Sequence, residues 1–480
     1  MSNKENSNPS GSQEPYPKVL IVGESFHTKS GGGITQSNLF KYWPQDKLAI
    51  IPYLRGTSDP LICKRIYNLN EGEVKYKFPF GLITKVSQKI KKNGNKIAES
   101  DWHSKSVEHN KPVEISNRES NKLNDNVYNG RITHISIFNT LRRIYRPFIG
   151  FLGIEHVKNS LVVTSELLKW IDDFGPQVIY AQFATLDKIL FVQDLKTRTN
   201  LPLVIHFMDD WPSILVSPGL FRRYWERRID KELRKLIDSA DVCIAISKKM
   251  ADEYQHRYDK VFNYIHNPVD IDNWLPFSKK SWGKGSTFKI LYAGRAGRSI
   301  TGSIKAITDI VQDLSIQKYA IQFHIYTKDY IDAALVFKNN SAVHVHKPIP
   351  DYNKIPQLFS SHDLLLIPLD FNSKFLRLSM PTKVSEYMIS GTPVMVFAPR
   401  NTALAEYALN YEWAYVIDND KEVIRKAILD LYHNESTRRR LGLKAKELAV
   451  SRHNATMIRS DFKNLLSLHR NYIKEEHNDN

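Results

Sequence analysis

Residues 363–399 read DLLLIPLDFNSKFLRLSMPTKVSEYMISGTPVMVFAP. Leu364 to Pro368 is a short apolar run of the kind that forms a buried parallel strand. An irregular polar piece follows. Ser379-Met380-Pro381-Thr382 then opens a helix, with Ser379 as its N-cap and Pro381 in its first turn. Gly391 stops that helix, and Pro393 to Ala398 reads as the next strand. The stretch is therefore a strand–loop–helix–strand unit whose loop ends on a helix N-terminus. Free N–H groups and a partial positive charge make such a terminus suited to an anion, above all phosphate. Lys383 and Glu386, three residues apart, share one face of the helix near that end. A cation there can hold a diphosphate, and a carboxylate one turn on can accept hydrogen bonds from the hydroxyls of a ribose. The spacing suits a nucleotide diphosphate; without a ligand, the same two residues are an ordinary surface pair.

Working outward, the rhythm of short apolar runs and helical segments recurs on both sides. Lys18 to Gly23 is a first strand ending in glycine, followed by a loop closing in Gly31-Gly32-Gly33 and a helix from Ile34 to Trp43. Further strands are expected at 178–182, 201–207 and 241–247. The second of these runs into Met208-Asp209-Asp210-Trp211-Pro212, and ligands collect at the carboxyl ends of parallel strands. His206, Asp209 and Asp210 fall there, where imidazole and carboxylates can contact sugar hydroxyls or serve as a base. In a purely structural role the histidine would bond to a backbone carbonyl and the carboxylate would cap a helix. The fold class expected is α/β, with two Rossmann-like doubly wound domains facing a central cleft. Residues 1–16 form a polar lead-in, 17–275 a first domain, and 285–452 a second, joined by the linker 279–287. A last helix is expected at 455–475. His324, His344 and His346 alternate with apolar residues and read as strand residues, not metal ligands.

The chain has 480 residues and a formal net charge of +17, with 42% hydrophobic residues. Such a length accommodates two domains. No apolar run reaches the roughly 18 residues of a membrane span. The polar N-terminus lacks the apolar core of a signal peptide, which fits a cytoplasmic protein. Cys63 and Cys243 make neither a disulfide framework nor a metal pattern. The positive charge implies an anionic partner, and a large share of it falls between about Leu61 and His156, where no clean α/β pattern is visible. Within this insertion, 82–97 and 137–154 are basic, apolar-bearing segments that suit an anionic lipid surface. Nothing has the pattern of a nucleic-acid-binding module.

The string Pro381-Thr382-Lys383-Val384-Ser385-Glu386-Tyr387-Met388-Ile389-Ser390-Gly391-Thr392-Pro393-Val394 resembles the P-x-K-x-x-E-Y-M-x-x-G-x-P-V signature of glycosyltransferase family 4, whose members have the GT-B fold and use nucleotide-activated sugars. Asn267-Pro268-Val269-Asp270 resembles the turn that ends the family's first domain. Phe288 to Arg295 resembles the first strand of its second domain. The resemblance implies that Arg295 contacts the donor diphosphate. It also implies that Gly32 and Gly33 let backbone approach the donor, that His206 and Asp210 line the acceptor side, and that the last helix crosses back to the first domain. Where the family often has a lysine shortly after that arginine, this chain has Arg298; Arg298 or Lys383 supplies the second charge. Ser379 and Thr382, at the helix start, are counted with Glu386 among the nucleotide-binding residues. The family often has a glutamate at the position of Leu378, and Ser379 and Arg377 are the candidate replacements.

The function so implied is transfer of a sugar from a nucleotide-diphosphate sugar to an acceptor hydroxyl, with retention, in polysaccharide or glycoconjugate synthesis. No metal or other cofactor is expected. The partners are the nucleotide sugar, an acceptor glycan or lipid-linked sugar, and an anionic membrane surface. Two alternatives stay open: a nucleotide-sugar epimerase, and a non-catalytic partner that binds membrane or nucleic acid through its basic surface.

Overall fold

The computed structural model describes residues 16–27, 31–53, 58–76, 151–152, 156, 159–213, 215 and 219–468. Apolar runs of five or so residues, too short for a core helix and bounded by polar turns, become strands. In the first domain these are β1 (Val19–Gly23), β2 (Leu48–Pro52), β3 (Arg65–Ile66), β4 (Val74–Tyr76), β5 (Asn159–Leu161), β6 (Val178–Ala181), β7 (Leu203–Phe207), β8 (Val242–Ala245) and β9 (Phe262–Tyr264). All but β4 and β5 form one parallel sheet in the order β3-β2-β1-β6-β7-β8-β9. The second domain has β10 (Phe288–Ala293), β11 (Ile321–Tyr326), β12 (Val343–His346), β13 (Leu364–Pro368), β14 (Val394–Phe397) and β15 (Tyr415–Ile417). They form a second parallel sheet in the order β12-β11-β10-β13-β14-β15. In each sheet the strand order reverses beside the domain's first strand, between β1 and β6 and between β10 and β13. That reversal opens a crevice at the carboxyl ends, where α/β sheets bind ligands.

Strands β1, β2, β6, β7 and β8 are buried along their whole length, as expected of a sheet covered on both faces by helices. One buried cluster runs from the first sheet into the second domain and includes Phe207, Trp274, Phe359, Leu378 and Tyr387. The domains are thus packed together beneath the cleft. The segment read as a linker is tied to the second domain: Lys279 N–H donates to the Ser390 carbonyl at 2.7 Å, and the Trp282 indole donates to the Gly391 carbonyl at 2.9 Å.

The helix Ala455–Leu466 returns to the first domain. Phe462 packs edge-on against Phe40 at 5.0 Å and Tyr180 at 5.4 Å. Arg459 donates to the Asn38 carbonyl and to Asp270, both at 2.8 Å. The chain's two passages between domains lie side by side: Val269 N–H donates to the His453 carbonyl at 2.9 Å, and Ala455 N–H to the Val269 carbonyl at 3.0 Å.

Three expectations change. The first helix spans Gly31–Leu39, so the glycines form its opening turn and do not lie in the loop before it. A Cβ on Gly33 would collide with the His27 imidazole, so this glycine is needed for packing, while Gly31 and Gly32 face the cleft. The helix of the 380s begins at Lys383, with Thr382 and not Ser379 at its N-cap and Pro381 ahead of its first turn. The region from Leu61 also contributes more order than its pattern shows. Arg65–Ile66 pairs in parallel with β2, and β4 pairs antiparallel with β5. Two- and three-residue strands carry no periodicity to detect. Residues 77–150, with the basic segment 82–97 and most of 137–154, lie outside the described residues, as does the tail before Tyr16.

Candidate active site

A cleft of about 2930 Å³ lies between the domains, lined by the carboxyl ends of both sheets. Its second-domain wall is built from two pieces of local structure. At the end of β10 the chain turns at Gly294, where a Cβ would meet the Tyr292 hydroxyl at 2.6 Å. That hydroxyl donates to the Arg295 carbonyl at 2.6 Å, and Asp329 accepts the Ala296 N–H at 3.0 Å. The turn is held from both sides, and the exposed Arg295 side chain lines the cleft. Arg298 opens the helix Arg298–Ile316; its side chain lies outside the described residues.

The second piece is the helix Lys383–Ile389, which Gly391 ends with a φ of 67°. Lys383 and Glu386 both face the cleft, with Nζ 3.6 Å from Oε2. Glu386 is buried, and its Oε1 accepts from the Tyr352 hydroxyl at 2.6 Å. Its Oε2 is buried without a hydrogen bond. The Lys383 ammonium beside it offsets part of the cost of burying this oxygen, which keeps hydrogen-bonding capacity to spare. Thr382 also lines the cleft and lies 3.5 Å from where a Cβ on Gly31 would be, so the glycine turn faces the start of this helix.

The first-domain wall departs further from expectation. His206 lines the cleft, and burial holds its pKa down at about 3, so it is neutral at physiological pH. Its Nδ1 is 2.7 Å from the Tyr180 hydroxyl, which itself accepts from Gln182 at 2.8 Å. With Gln182 donating, the tyrosine proton goes to Nδ1, and Nε2–H, buried without a partner, is left as a donor. Asp210 does not line the acceptor side. It is 1% exposed and accepts from the Tyr254 hydroxyl at 2.8 Å, with Arg257 3.6 Å away. Burial raises its pKa despite the lowering by Tyr254 and Arg257. Its neighbour Asp209 lines the cleft instead and accepts from Ser379 Oγ across the domain boundary at 3.2 Å.

Of the candidate replacements at Leu378, Arg377 is bonded to Glu253 of the first domain at 2.7 Å, and Leu378 itself is fully buried. Ser379 serves Asp209. Sequence reasoning missed Tyr352, which opens the 3-10 turn Tyr352–Lys354, and Asp329, which precedes the helix Tyr330–Phe337, both far along the chain from the residues they hold. Among the described residues no group of His, Cys, Asp and Glu side chains is arranged to hold a metal ion.

The first domain matches the family model described as Glycosyltransferase Family 4 over residues 123–273, and the second matches Glycosyl transferases group 1 over 287–434. No curated protein matches the chain in sequence. Among solved structures, HepE from Anabaena, in complex with UDP and glucose, aligns with a TM-score of 0.56 at 13% identity, over 94% of this chain and 100% of that one. Sucrose-phosphate synthase from Thermosynechococcus elongatus aligns with a TM-score of 0.56 at 12% identity, over 93% of this chain and 98% of that one. WaaG, a glycosyltransferase involved in lipopolysaccharide biosynthesis, aligns with a TM-score of 0.52 at 11% identity, over 94% and 99%. At these identities the likeness is one of fold.

Proposed function

The chain is a GT-B glycosyltransferase, and we propose that it moves a sugar from a nucleotide-diphosphate sugar to an acceptor hydroxyl with retention of configuration, in the synthesis of a polysaccharide or glycoconjugate. The observation that carries this reading is Glu386 Oε2, buried without a hydrogen bond on the same cleft wall as Lys383 and Arg295. Ribose hydroxyls reach this carboxylate as the Lys383 ammonium turns from it toward the diphosphate. Lys383 and Arg295 then face the diphosphate, and their charge matters most as the sugar–phosphate bond breaks and negative charge grows on the leaving group. The first-domain wall faces the transferred sugar and the acceptor, and closure of the cleft on them excludes water from the reacting carbon. A mostly apolar, aromatic-bearing lining with a few convergent polar groups suits a polyhydroxylated ligand.

The test is a thermal-shift panel of UDP, GDP and ADP sugars without added metal, on wild type and Glu386→Gln. A ligand at 100 times its Kd adds about 2.7 kcal/mol of stability. One nucleotide series is expected to stabilise the wild type and to lose about 10- to 100-fold in affinity in the variant. Equal shifts in the two proteins would remove Glu386 from the ribose site.

We further propose that the acceptor is lipid-linked and met at an anionic membrane surface. No helix among the described residues is long and apolar enough to cross a membrane. Leu220, Phe221 and Tyr224 are exposed beside Arg222 and Arg223 at the start of the helix Arg222–Ser239, a basic and aromatic edge that adds to the charge of the insertion. Co-sedimentation with anionic vesicles at low salt and release at high salt are expected. Failure to pellet at low salt would turn the reading toward a soluble acceptor.

A further inference from the structure

We propose that Asp209 recognises the transferred sugar itself, accepting a hydrogen bond from one of its hydroxyls, and that this restricts the donor to neutral sugars. The inference rests on the nucleotide-sugar reading above. Asp209 follows directly on the end of β7, where the chain leaves the sheet, and its neighbour Asp210 is already engaged by Tyr254 and Arg257. Of this carboxylate pair, only Asp209 lines the cleft.

Its contact defines where it stands. The Oδ1 atom accepts from Ser379 Oγ at 3.2 Å, a long bond made across the domain boundary. Ser379 lies four residues before Lys383 on the strap that leads into the diphosphate-binding helix. On the first-domain side, Met208 Sδ comes within 3.9 Å of where a Cβ on Gly32 would be, so this loop abuts the glycine turn that lines the cleft. Asp209 therefore stands where the two walls come together, opposite the residues assigned to the diphosphate. The group attached to the outer phosphate is the sugar, and it must occupy the space between Lys383 and the facing wall.

The Asp209 carboxylate, exposed in the cleft, offers that sugar an acceptor. Desolvation by the surrounding protein lifts the Asp209 carboxyl to about 6, yet leaves it ionised at neutral pH. A hydroxyl offered to it gains a charge-assisted bond. A uronate carboxylate in the same place would set two like charges together, which disfavours that donor even though Asp209 is open to solvent in the cleft. No proton transfer is asked of Asp209: it is a recognition residue whose bond is completed by the closed arrangement of the two domains.

The experiment compares wild type, Asp209→Asn and Ser379→Ala in binding to the nucleotide diphosphate alone, to its neutral-sugar conjugate and to its uronate conjugate, by isothermal titration. Asp209→Asn is expected to bind the nucleotide diphosphate as wild type does, which also shows that it is folded. It should lose about 10- to 100-fold in affinity for the neutral nucleotide sugar. Its preference for the neutral sugar over the uronate should shrink by a similar factor. Ser379→Ala, which keeps the carboxylate, should retain most of the preference. An Asp209→Asn protein that binds the sugar conjugate as tightly as wild type, or a wild type that takes uronate and neutral donors equally, would overturn the proposal. If no nucleotide diphosphate binds the wild type at all, the nucleotide-sugar reading fails first, which is a separate outcome.

Discussion

Lys383 and Glu386 stand three residues apart on a helix, and His206 and Asp210 stand four apart where a strand runs out into a loop. The first pair reaches the cleft together, 3.6 Å apart. The second pair divides, with His206 in the cleft wall and Asp210 turned under it toward Tyr254 and Arg257. A helix imposes one face on residues three apart whatever the rest of the fold does. A strand end imposes alternation only while it lasts, and beyond Phe207 side-chain directions are set by what packs below. Here a buried hydroxyl and a guanidinium claim Asp210. Two polar residues close in sequence thus do the same job in one setting and unrelated jobs in the other.

The sharpest way to break this contrast is at Lys383. Lys383→Ala should lower kcat by about 100-fold, because a cation on the leaving diphosphate acts mainly in the transition state. Combined with Arg295→Ala the losses should be less than multiplicative, since both serve one diphosphate. An unchanged rate in the folded Lys383→Ala protein would make the helix pair no more functional than the strand-end pair. Asp210→Ala should show the opposite profile. It leaves the Tyr254 hydroxyl without its buried acceptor and should cost about 1–3 kcal/mol in denaturant unfolding, with little change in the turnover of the folded fraction. A large loss of turnover with stability intact would return Asp210 to the cleft.

The smallest effect sharpens the role of His206. With a folded pKa of about 3 against an ordinary value of 6.5, it binds no proton between pH 5 and 8 in the folded protein. The kcat/KM profile should show no limb from this residue over that range. The unfolded chain does take up that proton below 6.5, so the folded state loses stability as pH falls from 7 toward 4. His453, held down at about 4 by burial, acts in the same direction. His206→Gln should flatten part of this slope when unfolding midpoints at pH 7.5 and 5 are compared.

Much of the fold is legible in the sequence because buried parallel strands are short apolar runs ended by polar turns, as at Val19–Gly23, Val178–Ala181, Leu203–Phe207 and Leu364–Pro368, although Leu48–Pro52 and Arg65–Ile66 are not among the expected strands. The stop at Gly391 and the shared face of Lys383 and Glu386 are legible for the same reason, since spacing is a local rule, while the N-cap falls on Thr382 and not on the expected Ser379. What could not be read depends on contacts between distant segments. Tyr352 meets Glu386 only because the turn Tyr352–Lys354 is carried over the carboxyl edge of the second sheet. Asp209 meets Ser379 and Arg377 meets Glu253 only because the domains are packed together. No spacing within either domain encodes those bonds. The first-turn glycines were misplaced by a related limit: glycine reads as a loop former, yet here its lack of a side chain is what lets a helix start against His27.

The returning helix Ala455–Leu466 has a consequence for how the protein is made. It contributes Ile458, Phe462, Leu465 and Leu466 to the cluster that also holds Val19, Phe40 and Tyr180. The first domain therefore cannot complete its aromatic core from its own segment of chain: Phe40 and Tyr180 are covered only once Phe462, made after the whole second domain, has folded back onto them.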